Sequence, residues 1–237
     1  MANRTPEKID PCPIIDAVFE IRFISSIPPS AIFGIIYNSF KDEYKKVENL
    51  PISQLPEPVR NSDPSLRFKP LYRILNEDSV IQVGPNVFTV SALAPYQGWN
   101  FFSSKIYSSI SKVIEIGCMD SVTRLGLRYI NFFPENILNN IDLNISISGE
   151  GLNPKNNTLL RTEIGQDPYT STLQITNQIE HNGKSGSIID IDTFTTNNLV
   201  EFMGNFKHFI ELAHSNEKEL FFSLLKDAFL EKFNPKY

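Results

Sequence analysis

The stretch from 122 to 133, VTRLGLRYINFF, holds the residues best suited to binding or electrostatic work. Strand side chains alternate between two faces, so Arg124 and Arg128 share one face while Leu125 and Leu127 share the other. An arginine on the face of a central strand needs a partner, because an unpaired buried charge is costly. We therefore expect either a hydrated, functional face or an acidic partner for these arginines.

The segment AVFEIRF, residues 17–23, supplies candidate partners. Its alternation predicts a half-buried strand with Glu20 and Arg22 on the polar face. If this strand lies beside 122–133, its charges approach Arg124 and Arg128. Two interpretations stay open: an ion-pair network that only crosses the sheet, and a charge cluster that marks a functional site.

Aromatic residues extend the candidate site. Tyr96 and Trp99 precede a predicted helix, and Tyr129 and Asn131 follow Arg128. Aromatic and arginine side chains together suit base stacking or a protein-interface hot spot. A buried anchor is the alternative role of Trp99. The predicted binding residues are Arg22, Tyr96, Trp99, Arg124, Arg128, Tyr129 and Asn131.

Candidates for catalysis and metal binding are few. Asp190 and Asp192 share one face of a predicted strand and offer oxygen ligands for a hard metal, although such a pair is more often a solvated strand edge or a cap for the following helix. The histidines are His181 at a predicted turn, His208 near an apolar helix stripe, and His214 between two predicted helices, where capping is the expected role. No nucleotide-binding glycine fingerprint occurs. The sequence favours a protein without catalytic residues, cofactor or metal.

The elements that would position these residues predict an α+β protein. In the first half we expect strands at 17–23, 71–75, 80–83, 87–93 and 122–133, helices at 30–46 and 100–116, and a proline-rich surface excursion at 47–70. This order resembles a ferredoxin-like βαββ(β)αβ arrangement, with the first and last strands adjacent.

The second half is predicted to hold antiparallel strands at 158–164, 170–180 and 187–194, with an Asn-Gly hairpin turn at 182–183. Two helices follow, at 196–213 and 217–233. We predict two subdomains packed as one globule: residues 1–133, ferredoxin-like, and residues 134–237, antiparallel strands with a C-terminal helical pair.

Composition narrows the class of partner. The chain of 237 residues has a net charge of -5, two cysteines and no apolar run that would cross a membrane or serve as a signal peptide. We expect a cytoplasmic protein that does not contact membranes. The acidic balance disfavours a broad nucleic-acid surface and suits a basic protein partner.

Several stretches together resemble a sporadically distributed family of uncharacterised prokaryotic proteins of about this length. They are PIIDAVFEIRF at 13–23, Gln82-Val-Gly, Tyr96-x-x-Trp99, LGLRYIN at 125–131, Asp190-x-Asp192 and His214. The resemblance implies a cytoplasmic prokaryotic protein inherited patchily, as accessory and defence genes are. It brings no activity and no catalytic residue.

Three functional hypotheses remain from the sequence, of which the third is a carboxylate-metal enzyme built on Asp190 and Asp192. The first is a non-enzymatic protein-interaction module, acting as a regulator, sensor or antitoxin-like component of a defence or toxin–antitoxin locus, with a basic effector as its partner. The second is an RNA- or nucleotide-binding module, including a metal-independent ribonuclease, because ferredoxin-like sheets often present aromatic residues to bases.

Overall fold

The computed structural model describes residues 5–237, and mixes helices with a large antiparallel sheet. The strands are β1 Ile14–Ile24, β2 Lys46–Asn49, β3 Tyr72–Leu75, β4 Ser79–Gly84, β5 Val87–Ala92, β6 Ser121–Phe133, β7 Ser146–Ile147, β8 Glu150–Gly151, β9 Leu159–Gln166, β10 Tyr169–His181 and β11 Lys184–Thr195. The α-helices are α1 Pro29–Phe40, α2 Glu57–Ser62, α3 Trp99–Ile116, α4 Phe202–Leu224 and α5 Asp227–Leu230. Short 3-10 helices lie at Pro51–Gln54, Ile137–Asn139, Leu199–Glu201 and Glu231–Phe233.

Nine strands form one sheet in the order β2-β3-β4-β5-β1-β6-β11-β10-β9, and β7 and β8 pair separately. Every neighbouring pair in the large sheet is antiparallel. The predicted adjacency of β1 and β6 is confirmed, with Phe19 opposite Leu127 and Glu20 opposite Gly126. The sheet therefore runs through both halves of the chain, with β1 as its middle strand and β6 beside it.

Local sequence signals explain most element boundaries. Gly117 ends α3 in a left-handed conformation, with φ of 68°. Asn182 and Gly183 both have positive φ and join β10 to β11 through the predicted two-residue turn. The hairpin of β3 and β4 is also confirmed, with Asn76 Oδ1 accepting hydrogen bonds from the turn backbone.

Three predicted boundaries were wrong. The first helix ends at Phe40 instead of residue 46, because the chain turns there and enters edge strand β2. The excursion at 47–70 contains β2, α2 and a 3-10 helix, where no regular element was expected. The predicted break at 214–216 does not exist, and α4 continues through it to Leu224. The break lies at Leu225, whose extended backbone separates α4 from the short α5.

Two apolar clusters cover the same side of the sheet. The first lies under α1, α3 and the beginning of α4, and its members include Phe19, Leu127 and Phe202. The second lies under the end of α4 and the last residues, and includes Phe133 and Ile189. The first cluster also takes Tyr169 and Ala213 from beyond residue 133, so neither cluster follows the predicted subdomain boundary. The division into subdomains 1–133 and 134–237 stays a prediction.

The opposite side of the sheet carries the alternate, polar side chains; we call it the open face. Glu20, Arg124, Arg128 and Asp192 lie there, and Phe68 from the excursion packs against Arg22 at its margin, 4.7 Å from the guanidinium carbon to the ring centroid. Across residues 5–237, no helix is both long and apolar enough to cross a membrane.

Candidate functional site: a cavity under the N-terminal arm

A cavity of about 390 Å³ lies where the two apolar clusters meet. Residues 5–13, which we call the arm, form one wall, and the other walls come from the start of α3, from β6 and from the middle of α4. Its size is within the range of about 300–1,000 Å³ that is usual for small-molecule sites. We call it the arm cavity.

The floor of the arm cavity is formed by Tyr129 and Asn131, two polar residues on the otherwise apolar face of β6. Along β6 the helix-facing side reads Leu125, Leu127, Tyr129, Asn131 and Phe133. The hydroxyl groups of Tyr129 and Tyr96 lie 3.3 Å apart, and Asn131 Nδ2 donates to the carbonyl oxygen of Ile189 at 3.3 Å. Both floor residues are at most 2% exposed. Burial raises the pKa of both tyrosine hydroxyls well above 10, so they stay protonated.

Trp99 forms the wall beside α3. Gly98, at φ of 96°, turns the chain into the helix in a conformation that favours glycine. Trp99 Nε1 then donates to Glu211 Oε2 of α4 at 3.0 Å, which ties the two helices together. The indole stacks on the ring of His214, with centroids 3.8 Å apart and planes 9° from parallel.

His214 and Glu217 reach the arm cavity from successive turns of α4. Nδ1 of His214 is buried without a hydrogen-bond partner among residues 5–237, and burial, aided by Lys218, lowers its pKa to about 3. Glu217 is 5% exposed, and within the described chain no cation or hydrogen-bond donor pairs with its carboxyl group. Burial raises the pKa of Glu217 to about 8. Glu217 thus lines the cavity without a partner, and the unpartnered Nδ1 of His214 is buried beside it.

The arm closes the cavity by pairing with the C-terminal residues. Glu7 N donates to the carbonyl oxygen of Lys236 at 2.6 Å, Asp10 N donates to that of Phe233 at 2.6 Å, and Ile9 inserts into the second apolar cluster. Cys12 lines the cavity from the arm, and partial burial raises the pKa of its thiol. The predicted irregular arm included residues 1–4, which lie outside the described residues.

The three predicted arginines lie on the open face, away from the cavity, and each has an acidic partner. Arg22 Nε donates to Glu20 Oε1 at 2.8 Å. Arg124 bridges Glu20 at 3.0 Å and Asp192 at 2.7 Å, and its guanidinium lies over the ring of Phe194. These contacts form a charge ladder across β1, β6 and β11.

Arg128 is the last member of this ladder. Its Nε and Nη2 donate to the two carboxylate oxygens of Asp190 at 2.7 and 2.5 Å, a bidentate pair. The ion pairs of the first interpretation are therefore present, and a functional role for this face stays a prediction. Asp190 and Asp192, the candidate metal ligands, are each occupied by an arginine, and no group of three or more metal-ligating side chains occurs among residues 5–237.

The predicted binding residues thus divide between two sides of the sheet. Tyr96, Trp99, Tyr129 and Asn131 meet in the arm cavity, whereas Arg22, Arg124 and Arg128 do not reach it. Adjacent residues Arg128 and Tyr129 separate because a strand alternates its faces.

Two cavity residues were missed from the sequence. His214 was expected to cap a helix end, and Glu217 was taken as the first residue of the next helix. A signal was present: Glu217 occupies a position on the apolar stripe that runs through Ile210, Ala213, Phe221 and Leu224. A carboxyl group on the buried stripe of a helix is a candidate site residue.

Comparison with known proteins adds no identity: no protein-family model matches this chain, and no curated protein matches it.

Proposed function

We propose that this protein is a non-enzymatic recognition module, a sensor that binds a small ligand in the arm cavity. The observation that supports the proposal is the meeting of four predicted binding residues with two unpartnered buried groups, His214 and Glu217, around one cavity. A buried polar group without a partner costs stability, and a ligand that pairs with it recovers that cost.

The chemistry of the cavity favours binding over catalysis. A thiolate is the nucleophilic form of cysteine, and the raised pKa of Cys12 keeps the thiol protonated at neutral pH. His214, with a pKa of about 3, is a poor general base near pH 7 because its conjugate acid is too strong. Among residues 5–237, neither side chain is hydrogen-bonded to the neighbouring group that nucleophilic catalysis requires.

The test of the cavity uses Cys12 as its reporter. Cys12 is exposed and Cys118 is fully buried, so N-ethylmaleimide should modify Cys12 alone in the folded protein. A panel of nucleotides, amino acids and amines is screened for compounds that raise the melting temperature and slow this modification. A ligand should do both, and previously alkylated protein should lose the stabilisation. A Cys12→Ser variant, which cannot be alkylated, should keep it. Failure of every compound to protect Cys12 would contradict a ligand-binding cavity.

We further propose that a basic effector protein docks on the open face, in a regulator or antitoxin-like role within a prokaryotic defence or toxin–antitoxin locus. The net charge of -5 favours association with a basic partner. The family resemblance of the sequence supports the prokaryotic, cytoplasmic setting.

We also propose that the N-terminal half is ferredoxin-like. The strand order β4-β5-β1-β6, with helices α1 and α3 on one side of the sheet, supports this fold.

The partner proposal is tested by co-expression with the products of neighbouring genes. A stoichiometric complex with a basic protein should form, and Arg128→Ala should weaken it. Because that change leaves Asp190 unpaired, the double variant Arg128→Ala/Asp190→Asn is the matched control for misfolding. The absence of a complex with every neighbouring product, or a complex that both variants leave intact, would contradict docking on this face.

A second candidate function is RNA or nucleotide binding, including a metal-independent ribonuclease. The observation that favours it is the aromatic wall of Tyr96, Trp99 and Tyr129 beside three lysines, Lys8, Lys218 and Lys236, which also line the cavity. Aromatic rings stack on bases, and lysines attract phosphates. Binding of a single-stranded oligonucleotide that weakens steeply with salt would support this function, whereas binding indifferent to salt would contradict it.

A further inference from the structure

The arm cavity has an acidic interior and a basic rim. Glu217 and Tyr129 are at most 5% exposed, whereas Lys8 and Lys236 are exposed and Lys218 is half-buried. None of these lysines forms an ion pair with a carboxylate in the described part of the chain. Glu7 and Asp10 also line the cavity, so three amines face two carboxylates at the rim. A ligand that fits the acidic interior and the basic rim has hydrogen-bond donors at its inner end and an anionic group at its outer end.

The unpartnered interior groups define the inner end of that ligand more closely. An ionised Glu217 offers two acceptor oxygens, and no donor among the described residues pairs with them. The rings of Tyr96, Trp99 and Tyr129 line the same space and favour a flat, aromatic group. The inner end should therefore be a planar ring with adjacent N–H donors.

We propose that the arm cavity binds a guanine mononucleotide, with the base against Glu217 and the phosphate at the lysine rim. This inference rests on the proposed function of the cavity and adds its ligand class. Guanine presents N1–H and an N2 amino group side by side, which pair with the two oxygens of one carboxylate. Adenine and cytosine place an acceptor beside the donor, and uracil places its donor between two acceptors, so each opposes a lone pair of Glu217.

The pairing with an ionised Glu217 predicts a pH dependence. Since the pKa of Glu217 is about 8 in the protein, guanine binding at pH 7 must release a proton, and affinity should rise about tenfold from pH 6 to 7 and about fivefold from pH 7 to 8. Guanosine is the probe for this measurement because it carries no phosphate that titrates near pH 6. Of the other groups that face Glu217, Tyr96, Tyr129 and Cys12 stay protonated and His214 stays neutral in this range, because burial shifts the pKa of each away from it. The remaining ionisable groups of the lining are the side chains of Lys8, Lys218, Lys236, Glu7 and Asp10.

Trp99 makes the test direct, because it is the only tryptophan of the chain and it lines the cavity. GMP, AMP, CMP and guanosine are titrated into the full chain while tryptophan fluorescence and calorimetric heat are followed. GMP should bind about tenfold or more tightly than AMP and CMP, as a bidentate contact typically discriminates. Lys8→Met, a change at the exposed rim, should weaken GMP and leave guanosine unchanged.

Glu217→Gln should reduce GMP affinity about tenfold or more, and Glu219→Gln, an exposed neighbour on the same helix, should not. Thermal unfolding confirms that both variants are folded. Equal affinity for AMP and GMP, no response to GMP, or equal loss in both variants would overturn the guanine proposal. If GMP fails but another compound protects Cys12 from alkylation, the ligand class is wrong and the cavity function stands. If nothing protects Cys12, both proposals fail.

Discussion

The imidazole of His214 lies flat on the indole of Trp99, with ring centroids 3.8 Å apart, and its Nδ1 is buried without a partner among the described residues. The stack connects the start of α3 to the middle of α4 and places both rings at the arm cavity. Because burial lowers the pKa of His214 to about 3, the ring is neutral in the folded protein at physiological pH.

The neutral state of His214 predicts a fluorescence profile. A stacked imidazolium quenches indole emission, so an ordinary histidine beside Trp99 would give a step near pH 6.5. We expect the emission of Trp99 to stay level between pH 5 and 7.5. His208→Asn, which removes another histidine of α4, is the control and should leave the profile unchanged. A step near pH 6.5 that disappears in a His214→Asn variant would show that the ring titrates normally.

The raised pKa of Glu217 predicts that the folded protein loses stability as the pH rises. Its pKa is about 8 when folded and near the ordinary value of 4.5 when unfolded, so the folded state holds the extra proton between these values. The free energy of unfolding therefore falls as the pH rises through this window. Glu217→Gln removes this loss. As the pH rises from 5 to 8, the unfolding free energy of the variant should therefore increase relative to that of the natural protein by roughly a few kcal/mol.

Urea unfolding at several pH values measures this difference. Glu219→Gln, on the exposed side of α4, is the matched variant and should differ from the natural protein by a constant amount. A constant difference for Glu217→Gln as well would mean that its carboxyl group titrates normally. His214 acts in the other direction: its lowered pKa makes the folded protein less stable as the pH falls from 6.5 towards 3.

Gly126 makes room for the guanidinium of Arg124 on the open face. A Cβ at this position would lie 2.4 Å from Arg124 Nη1, so Gly126→Ala must displace the arginine from Glu20 and Asp192. We expect a loss of about 1–3 kcal/mol in unfolding free energy, since two carboxylates lose a charged hydrogen bond. In an Arg124→Met background the same change should cost much less, which a double-mutant cycle measures.

Gly34→Ala is the control for this experiment, because an added Cβ meets nothing within 4 Å inside α1. It should stabilise the protein by about 0.5–1 kcal/mol through helix propensity. Additive losses for Gly126→Ala and Arg124→Met would refute the close contact.

Arg128→Ala should destabilise the protein by removing the bidentate partner of Asp190, which is 8% exposed. The arginine side chain is 47% exposed, so solvent screens the pair. The expected loss in unfolding free energy is about 1–2 kcal/mol. Adding Asp190→Asn should restore part of that loss, because the unpaired carboxylate disappears. Denaturant midpoints measure both effects, and an unchanged midpoint for Arg128→Ala would show that the pair contributes nothing.

Periodicity in the sequence was sufficient to predict most elements around β6. The alternation of Phe19 and Ile21 with Glu20 and Arg22 predicted both the strand and its two faces, because a two-residue period has one structural solution. The helix at Trp99–Ile116 and the Asn182-Gly183 turn were likewise local features with local causes. The cost of an unpaired charge left two alternatives for the arginines, a hydrated face or acidic partners, and the structure contains the acidic partners.

The arm cavity could not be predicted from the sequence, because it forms only in the tertiary structure. Strand alternation separates Arg128 from Tyr129, but which of the two faces the helices cover follows from the packing of β1, β6 and β11 against α3 and α4. In the sequence alone, the polar residues between His214 and Glu217 indicate a helix end, since polar residues usually lie at helix ends. Only the meeting of α4 with the arm, Trp99 and Asn131 turns those polar residues into a buried site, because burial is a property of contacts distant in sequence.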